Sequence, residues 1–313
     1  MNQGCVYTDR IDRAAVGLTV VDYYCQRYRH SGVEEWRSRI ESGLVQLDGA
    51  LTTHETTLTL GQTLTYYRPP WQEPEVPCRF DLLYEDEDLL VVVKPSGLPV
   101  MPGAGFLENT LLGQLRQRYG DFDYNAAKTK DAMSPAPIHR LGRGTSGLVL
   151  IARSPLAKQK LSQQMRDRKM NKQYLALCQG VMREDELVIE QAIAKVPHPD
   201  LGYLYGPQDG GLYSRSDVRV VERRSDSTLV EVTILTGRAH QIRIHVAWAG
   251  FPLYGDPLYG VGGKAKLRNE LGEVPVPGDC GYWLHAYRLG FVHPRSGEAL
   301  TFVAPAPAML SVN

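Results

Sequence analysis

Cysteine is scarce and unpatterned in this 313-residue chain. Its five cysteines (Cys5, Cys25, Cys78, Cys178 and Cys280) lie far apart and form no Cys-x-x-Cys pair. That leaves neither a zinc-ligand spacing nor a disulfide framework, and it suits a reducing compartment. An excess of charge is missing as well: Lys plus Arg and Asp plus Glu both number 35. Composition alone therefore gives no electrostatic case for nucleic acid. Long apolar runs are also absent. No stretch approaches the ~20 residues of a membrane span. The N-terminus carries Asp9, Arg10, Asp12 and Arg13 in place of a signal peptide's apolar core. No repeat is visible. The expectation is a soluble, cytoplasmic, monomeric protein with no membrane partner, metal or cofactor.

What is present fits one large globular domain or two, with 43% hydrophobic and 22% charged residues. Residues 17–70 read as a small unit. Val20, Val21, Tyr23, Tyr24 and Tyr28 follow a helical pattern. A second helix over 33–42 stops at Gly43, a natural residue just past a helix end. Leu44–Leu47 then reads as a strand entering the turn Asp48-Gly49, and Leu58, Leu60 and Leu64 continue a β pattern. Pro69, Pro70, Pro74 and Pro77 mark a stiff linker over 71–79.

Beyond the linker, strands are expected at 82–84, 89–93, 174–178, 218–221, 229–234, 284–292 and 299–303. Helices are expected at 110–119, at 240–248 and from a Ser154 cap with Pro155 behind it to about Lys169. Residues 120–137 read as a polar loop and 202–211 as a hairpin or loop. Runs of strands with few helices predict an α+β domain on a mixed, largely antiparallel sheet over 80–307.

Several sequence blocks then converge. The run His139-Arg140-Leu141-Gly142-Arg143-Gly144-Thr145-Ser146-Gly147 resembles the signature loop of the RluA-type RNA pseudouridine synthases, which reads His-Arg-Leu-Asp, two residues, Thr-Ser-Gly. Further blocks follow in that family's order: Val93–Val100, Lys172–Ala176, Thr236–His245, Gly255–Gly260 and Leu284–Ala286. One block alone would be weak; six in order are specific. The resemblance implies the pseudouridine synthase fold and an isomerase that converts uridine to pseudouridine in ribosomal or transfer RNA. In the N-terminal part, Gly43–Gly49 resembles the core of an S4-type RNA-binding domain. Residues 17–70 carry five Lys and Arg against six Asp and Glu, a poor balance for gripping phosphates.

The chemistry makes definite demands. The N1–C1′ bond must break, the uracil must turn, and C5 must lose a proton. A positioned carboxylate serves as nucleophile or base in such work. The resemblance gives that role to the loop acid, pairs it with Arg243, lays Tyr174 against the uracil, and has Arg140 help replace the flipped base. Here the acid's position is Gly142, which can neither attack nor take a proton. Asp256, Thr145 and Ser146 are possible substitutes, although Asp256 in Gly-Asp-Pro reads first as a turn former. Arg243, lacking its expected partner, must be solvated, re-paired or bound to phosphate.

Residues 139–180 carry nine Lys and Arg and one acid, Asp167. Together with Arg238 and His240, the residues His139, Arg140, Arg143, Thr145, Arg166, Arg168, Lys169 and Lys172 form the expected RNA-contacting set. A solvated helix face is the bland alternative for such a run. The histidines His240 and His245 are five apart, off a shared helical face, which argues against a metal pair. Two functions stay open at this level: an active synthase, or a silent homologue that grips RNA. Gly142→Asp is expected to create or raise activity if the pocket is intact, read as tritium release from RNA labelled at uridine C5.

Overall fold

The computed structural model describes residues 1–28, 31–119, 135–269 and 272–312. The polar loop expected at 120–137 falls mostly on residues 120–134, outside that set. The chain divides into two compact units, Met1–Glu73 and Pro74–Asn313.

The first unit holds strands β1 (Cys5–Arg10), β2 (Val45–Leu47), β3 (Ala50–Leu51) and β4 (Thr63–Arg68), in the order β1-β4-β2-β3. Helices α1 (Val20–Arg27) and α2 (Val33–Glu41) pack together. Thr19 caps α1 by accepting from the Asp22 amide. Buried Trp36 stacks on Tyr24 at 4.4 Å and meets Tyr66 edge-on at 5.1 Å, so aromatic contact joins helices to sheet. Asp48 and Gly49 both have positive φ, 51° and 81°, the geometry of a tight hairpin turn. Two sequence expectations differ from the structure. Cys5–Arg10 is a full edge strand of this unit, because it pairs with β4 along its whole length. Leu58 and Leu60 precede the strand, which starts only at Thr63.

The second unit is built on a ten-stranded sheet. Its strands are β5 (Asp81–Glu85), β6 (Leu89–Lys94), β7 (Ala136–Pro137), β8 (Ser146–Ala152), β9 (Asn171–Gln179), β10 (Glu186–Ile189), β13 (Ser216–Arg223), β14 (Ser227–Ile234), β15 (Leu284–Val292) and β16 (Ala299–Val303). The main path runs β10-β13-β14-β9-β15-β8-β6-β5. Between β10 and β13 the chain forms a separate hairpin of β11 (Ile193–His198) and β12 (Gly202–Pro207). Only the β8–β15 pairing is parallel among the described strands, so the sheet is mixed and largely antiparallel, as expected. Strands β10 and β11 were not legible in sequence, because Val188 and Lys195 break their apolar alternation at exposed positions.

The near-continuous apolar runs of β6 and β8 follow from burial on both faces. Leu90, Val92, Val149 and Ile151 point into one core with Leu111 and Leu115 of α3 (Leu111–Tyr119) and with Ile242 and Val246 of α5 (Gln241–Trp248). Leu89, Val91, Leu148 and Leu150 point the other way, against Ala157 and Leu161 of α4 (Pro155–Arg166). Ser154 caps α4 as expected, accepting from the Ala157 amide, with Pro155 at the first turn. The helix ends at Arg166, three residues before the expected end, because Arg168 turns left-handed at φ 58°.

Lys94, fully buried at the end of β6, donates to the carbonyls of Pro95 (2.8 Å), Leu98 (2.7 Å) and Arg143 (3.1 Å). It ties the turn after β6 to the signature loop. Lys94→Met keeps the stem but leaves those carbonyls without a donor. It is expected to lower unfolding free energy by about 3 kcal/mol, read by urea denaturation.

Candidate active site

The signature loop feeds directly into β8, and β8 runs parallel to the start of β15 with Ser146 opposite His285 and Gly147 opposite Ala286. Gly147 has φ 107°, and a Cβ there would lie 2.3 Å from the Ala286 carbonyl oxygen. Only glycine allows that approach. Ser146 Oγ and His285 Nδ1 lie 2.8 Å apart beside it. The segment preceding β15 is thereby laid along the loop preceding β8.

One consequence is the position of Tyr282. An added Cβ on Gly142 would sit 3.0 Å from the Tyr282 hydroxyl and 3.5 Å from Thr145 Oγ1. On Gly144 it would sit 2.9 Å from the Tyr282 ring and 3.2 Å from the Cys280 Cα. Neither glycine has a left-handed φ, so their cause is steric. The Tyr282 ring occupies the space above both. The gain expected of Gly142→Asp therefore needs Tyr282 to move, or Tyr282→Phe beside it.

Below the loop lies a cavity of about 340 Å³. Its wall includes His139, Arg140, Gly142, Thr145, Lys172, Tyr174, Arg238, His240, Arg243 and Tyr282. Among the described residues, no Asp or Glu lines it. Tyr174 projects from β9, and burial pushes its phenol up to about 12, so it stays neutral. Lys172, two residues earlier, is buried with its ammonium 3.8 Å from Met165 Sδ. Burial, with Arg168 adding, pulls its pKa down.

The far wall is the start of α5. Buried Gln241 organises it. Its Oε1 accepts from Thr236 Oγ1 (2.7 Å) and the Arg238 amide (3.1 Å), and its Nε2 donates to the Arg215 carbonyl (2.8 Å) and to Ser216 Oγ (3.0 Å). His240, expected as the first helical residue, instead precedes the helix in a left-handed conformation, φ 57°. The Tyr259 hydroxyl donates to the Tyr205 carbonyl at 2.8 Å, so at 2.8 Å from His240 Nδ1 it accepts from an Nδ1–H. Burial and the nearby Arg243 push His240 down to about 4.

Arg243 is re-paired. Its Nε donates to Asp256 Oδ2 at 2.8 Å and its Nη2 to Asp256 Oδ1 at 2.7 Å, with side chains only 3% and 1% exposed. Burial opposes the guanidinium charge, but the hydrogen bonds and charge of Asp256 outweigh it and hold the Arg243 pKa up. Asp256 also accepts from the Leu258 and Tyr259 amides, so the turn role expected from sequence and the ion pair coexist. Arg243 Nη1 is buried with no hydrogen-bond partner among the described residues, and the guanidinium carbon lies 4.2 Å from the Tyr282 ring centroid.

The expected RNA set is thus divided. His139, Arg140, Thr145, Lys172, Arg238 and His240 line the cavity with Gly142, Tyr174 and Arg243. His139 accepts from the Leu150 amide through Nε2, and burial and the nearby Lys172 push it down to about 4. It and His240 are neutral hydrogen-bonding groups rather than cations. Arg143 turns away, donating to the Gly278 carbonyl and lying over Phe106. Arg166, Arg168 and Lys169 are exposed at the end of α4, next to Met165 of the cavity wall. Outside the cavity, buried His245 bonds Ser216 Oγ and the Gln191 carbonyl. Tyr282 and Gln241 were missed. Tyr282 stands outside every block of the resemblance, and Gln241 matters only through folded contacts.

Known proteins bear on this geometry. A family model described as RNA pseudouridylate synthase matches residues 88–248. An uncharacterised RNA pseudouridine synthase of Synechocystis is 42% identical, over 93% of this chain and 95% of its own length. RNA pseudouridine synthase 5 of Oryza sativa is 39% identical, over 99% of this chain and 88% of its own. The solved structure of the human RNA Pseudouridylate Synthase Domain Containing 1 shares the fold, with a TM-score of 0.56 and 24% identity over 77% of this chain and 89% of that one. The chain belongs to the RNA pseudouridylate synthase family, whose reaction is an isomerisation in RNA. Nothing in these likenesses supports a silent homologue. Among the described residues no helix is long and apolar enough to cross a membrane.

Asp256→Ala would leave the Arg243 guanidinium buried and unpaired. It is expected to cost about 3–5 kcal/mol of stability, measured by denaturant unfolding of purified protein.

Proposed function

We propose that the chain isomerises uridine to pseudouridine in a structured RNA, ribosomal or transfer, and that the target uracil enters the cavity over Tyr174. The observation that carries this reading is a neutral aromatic floor inside a cationic wall. Tyr174 offers a flat apolar face for a base taken out of its stack. Arg140, Lys172 and Arg238 at the wall, with Arg166, Arg168 and Lys169 outside it, supply charge for the flanking phosphates. His139 and His240, neutral at physiological pH, offer hydrogen bonds to the uracil edge. Arg243, held rigid by Asp256, presents Nη1 toward charge that develops as the N1–C1′ bond breaks.

We read residues 17–70 as an S4-like module, 71–79 as a linker and 80–307 as the catalytic domain. The order helix, helix, strand, Asp-Gly turn, strand supports an S4-like module. Its affinity for RNA is expected to be low. Arg27 pairs with Asp9, Arg37 with Glu34 and Arg39 with Glu35, so these cations are partly neutralised. A cytoplasmic monomer completes the reading.

The native protein is expected to release tritium from C5-labelled uridine in RNA taken from cells lacking this gene. Absence of release from every RNA fraction would sink the reading. Arg166→Ala should weaken binding of a released-fraction RNA and reduce the slope of log K against log salt by about 1. An unchanged slope would remove Arg166 from the contact surface.

A further inference from the structure

Among the described residues, none that lines the cavity carries a carboxylate, the group that usually meets the sugar. Among the described residues that line it, Thr145, Tyr174 and Tyr282 carry hydroxyls. Thr145 is an aliphatic alcohol, far less acidic than a phenol. Tyr174 lies in β9, where no cation among the described residues lies over its ring and burial raises its pKa. Tyr282 differs from both. Its hydroxyl stands 3.0 Å from where a residue-142 side chain would begin, and 3.2 Å from Thr145 Oγ1. The Arg243 guanidinium lies over its ring at 4.2 Å, with Nη1 buried and no hydrogen-bond partner to it among the described residues. Burial raises the phenol's pKa and the Arg243 charge opposes that rise.

We propose that Tyr282 is the catalytic nucleophile of this chain, its phenol oxygen attacking the ribose C1′ from the place a loop carboxylate would otherwise take. This rests on the synthase reading above. The phenol oxygen bonds to C1′ as the N1–C1′ bond breaks, and the bonding pair leaves with uracil. The phenol proton goes to that uracil and ends on N1. After the ring turns, C5 attacks C1′ and the C1′–O bond to Tyr282 breaks. The C5 proton then returns to the phenolate. Protons and electrons balance with no further reactant. Arg243 stabilises the oxyanion each time it forms, and Thr145 Oγ1 orients it. Phenol oxygens do serve as nucleophiles at anomeric carbons in some glycosidases. The two loop glycines then have a function: they make room for the ring that replaces the acid.

The test is tritium release by native protein, by Tyr282→Phe and by protein carrying a fluorinated tyrosine at 282, with RNA affinity and thermal unfolding measured alongside. Tyr282→Phe is expected to lose at least about 100-fold in rate while RNA binding stays within about twofold of native, as for other groups acting only in the transition state. The fluorinated residue, a stronger acid of nearly the same shape, is expected to shift the pH–rate profile to lower pH. A packing role alone would not cause that shift. If Tyr282→Phe does not fold, the shift decides the matter by itself. Native-like rate in Tyr282→Phe, or an unmoved profile, overturns the nucleophile while leaving the synthase reading intact. Absence of release by native protein overturns both.

Discussion

The close parallel approach of β8 and β15 is the constraint on which the site depends. Two backbones meet at Gly147 and Ala286, with room for a hydrogen but not for a methyl group. Parallel strands start at the same end of a sheet. The segments entering them therefore run side by side, and these are the signature loop and the Cys280–Trp283 stretch. Lys94 pins the loop from beneath by its bonds to the turn after β6 and to Arg143. From that frame follow the position of Tyr282, the two glycines under it and the shape of the cavity.

Electrostatics then set the character of the cavity. The buried ion pair of Arg243 with Asp256 engages the Asp carboxylate with the guanidinium and with two turn amides. A carboxylate so engaged is poorly free to attack a sugar, which argues against Asp256 as a substitute for the missing acid. The pair is instead a rigid mount for a cation, and buried pairs earn their place more by fixing geometry than by adding stability. The histidines stay neutral because burial and neighbouring cations disfavour protonation. Positive charge is concentrated at the wall and at the end of α4, even though the whole chain has none in net. A neutral protein can still present a basic site when its acids are placed elsewhere.

Local patterns carried much of the fold. Apolar runs at Leu89–Val93 and Leu148–Ala152 are central strands because both sheet faces are covered. Ser154 with Pro155 marks a helix start by the same backbone chemistry anywhere. Asp48-Gly49 is a tight turn because both residues tolerate positive φ. By contrast, β1 was unreadable, since Cys5–Arg10 carries no sustained apolar alternation and is a strand through its pairing with β4. The end of α4 was misjudged because a left-handed residue at Arg168, not a Gly or Pro, stops the helix.

By itself the sequence determined the family and the sheet type, and it named part of the cavity wall, because motif blocks and apolar periodicity are local properties. It also showed that the loop lacks an acid at Gly142. Tertiary structure alone decided which side chain lies beside Gly142, and which partner Arg243 takes. Tyr282 lies 140 positions from Gly142, and Asp256 lies 13 positions from Arg243, past the end of α5. Strand pairing and burial bring them together, and no local pattern encodes either contact.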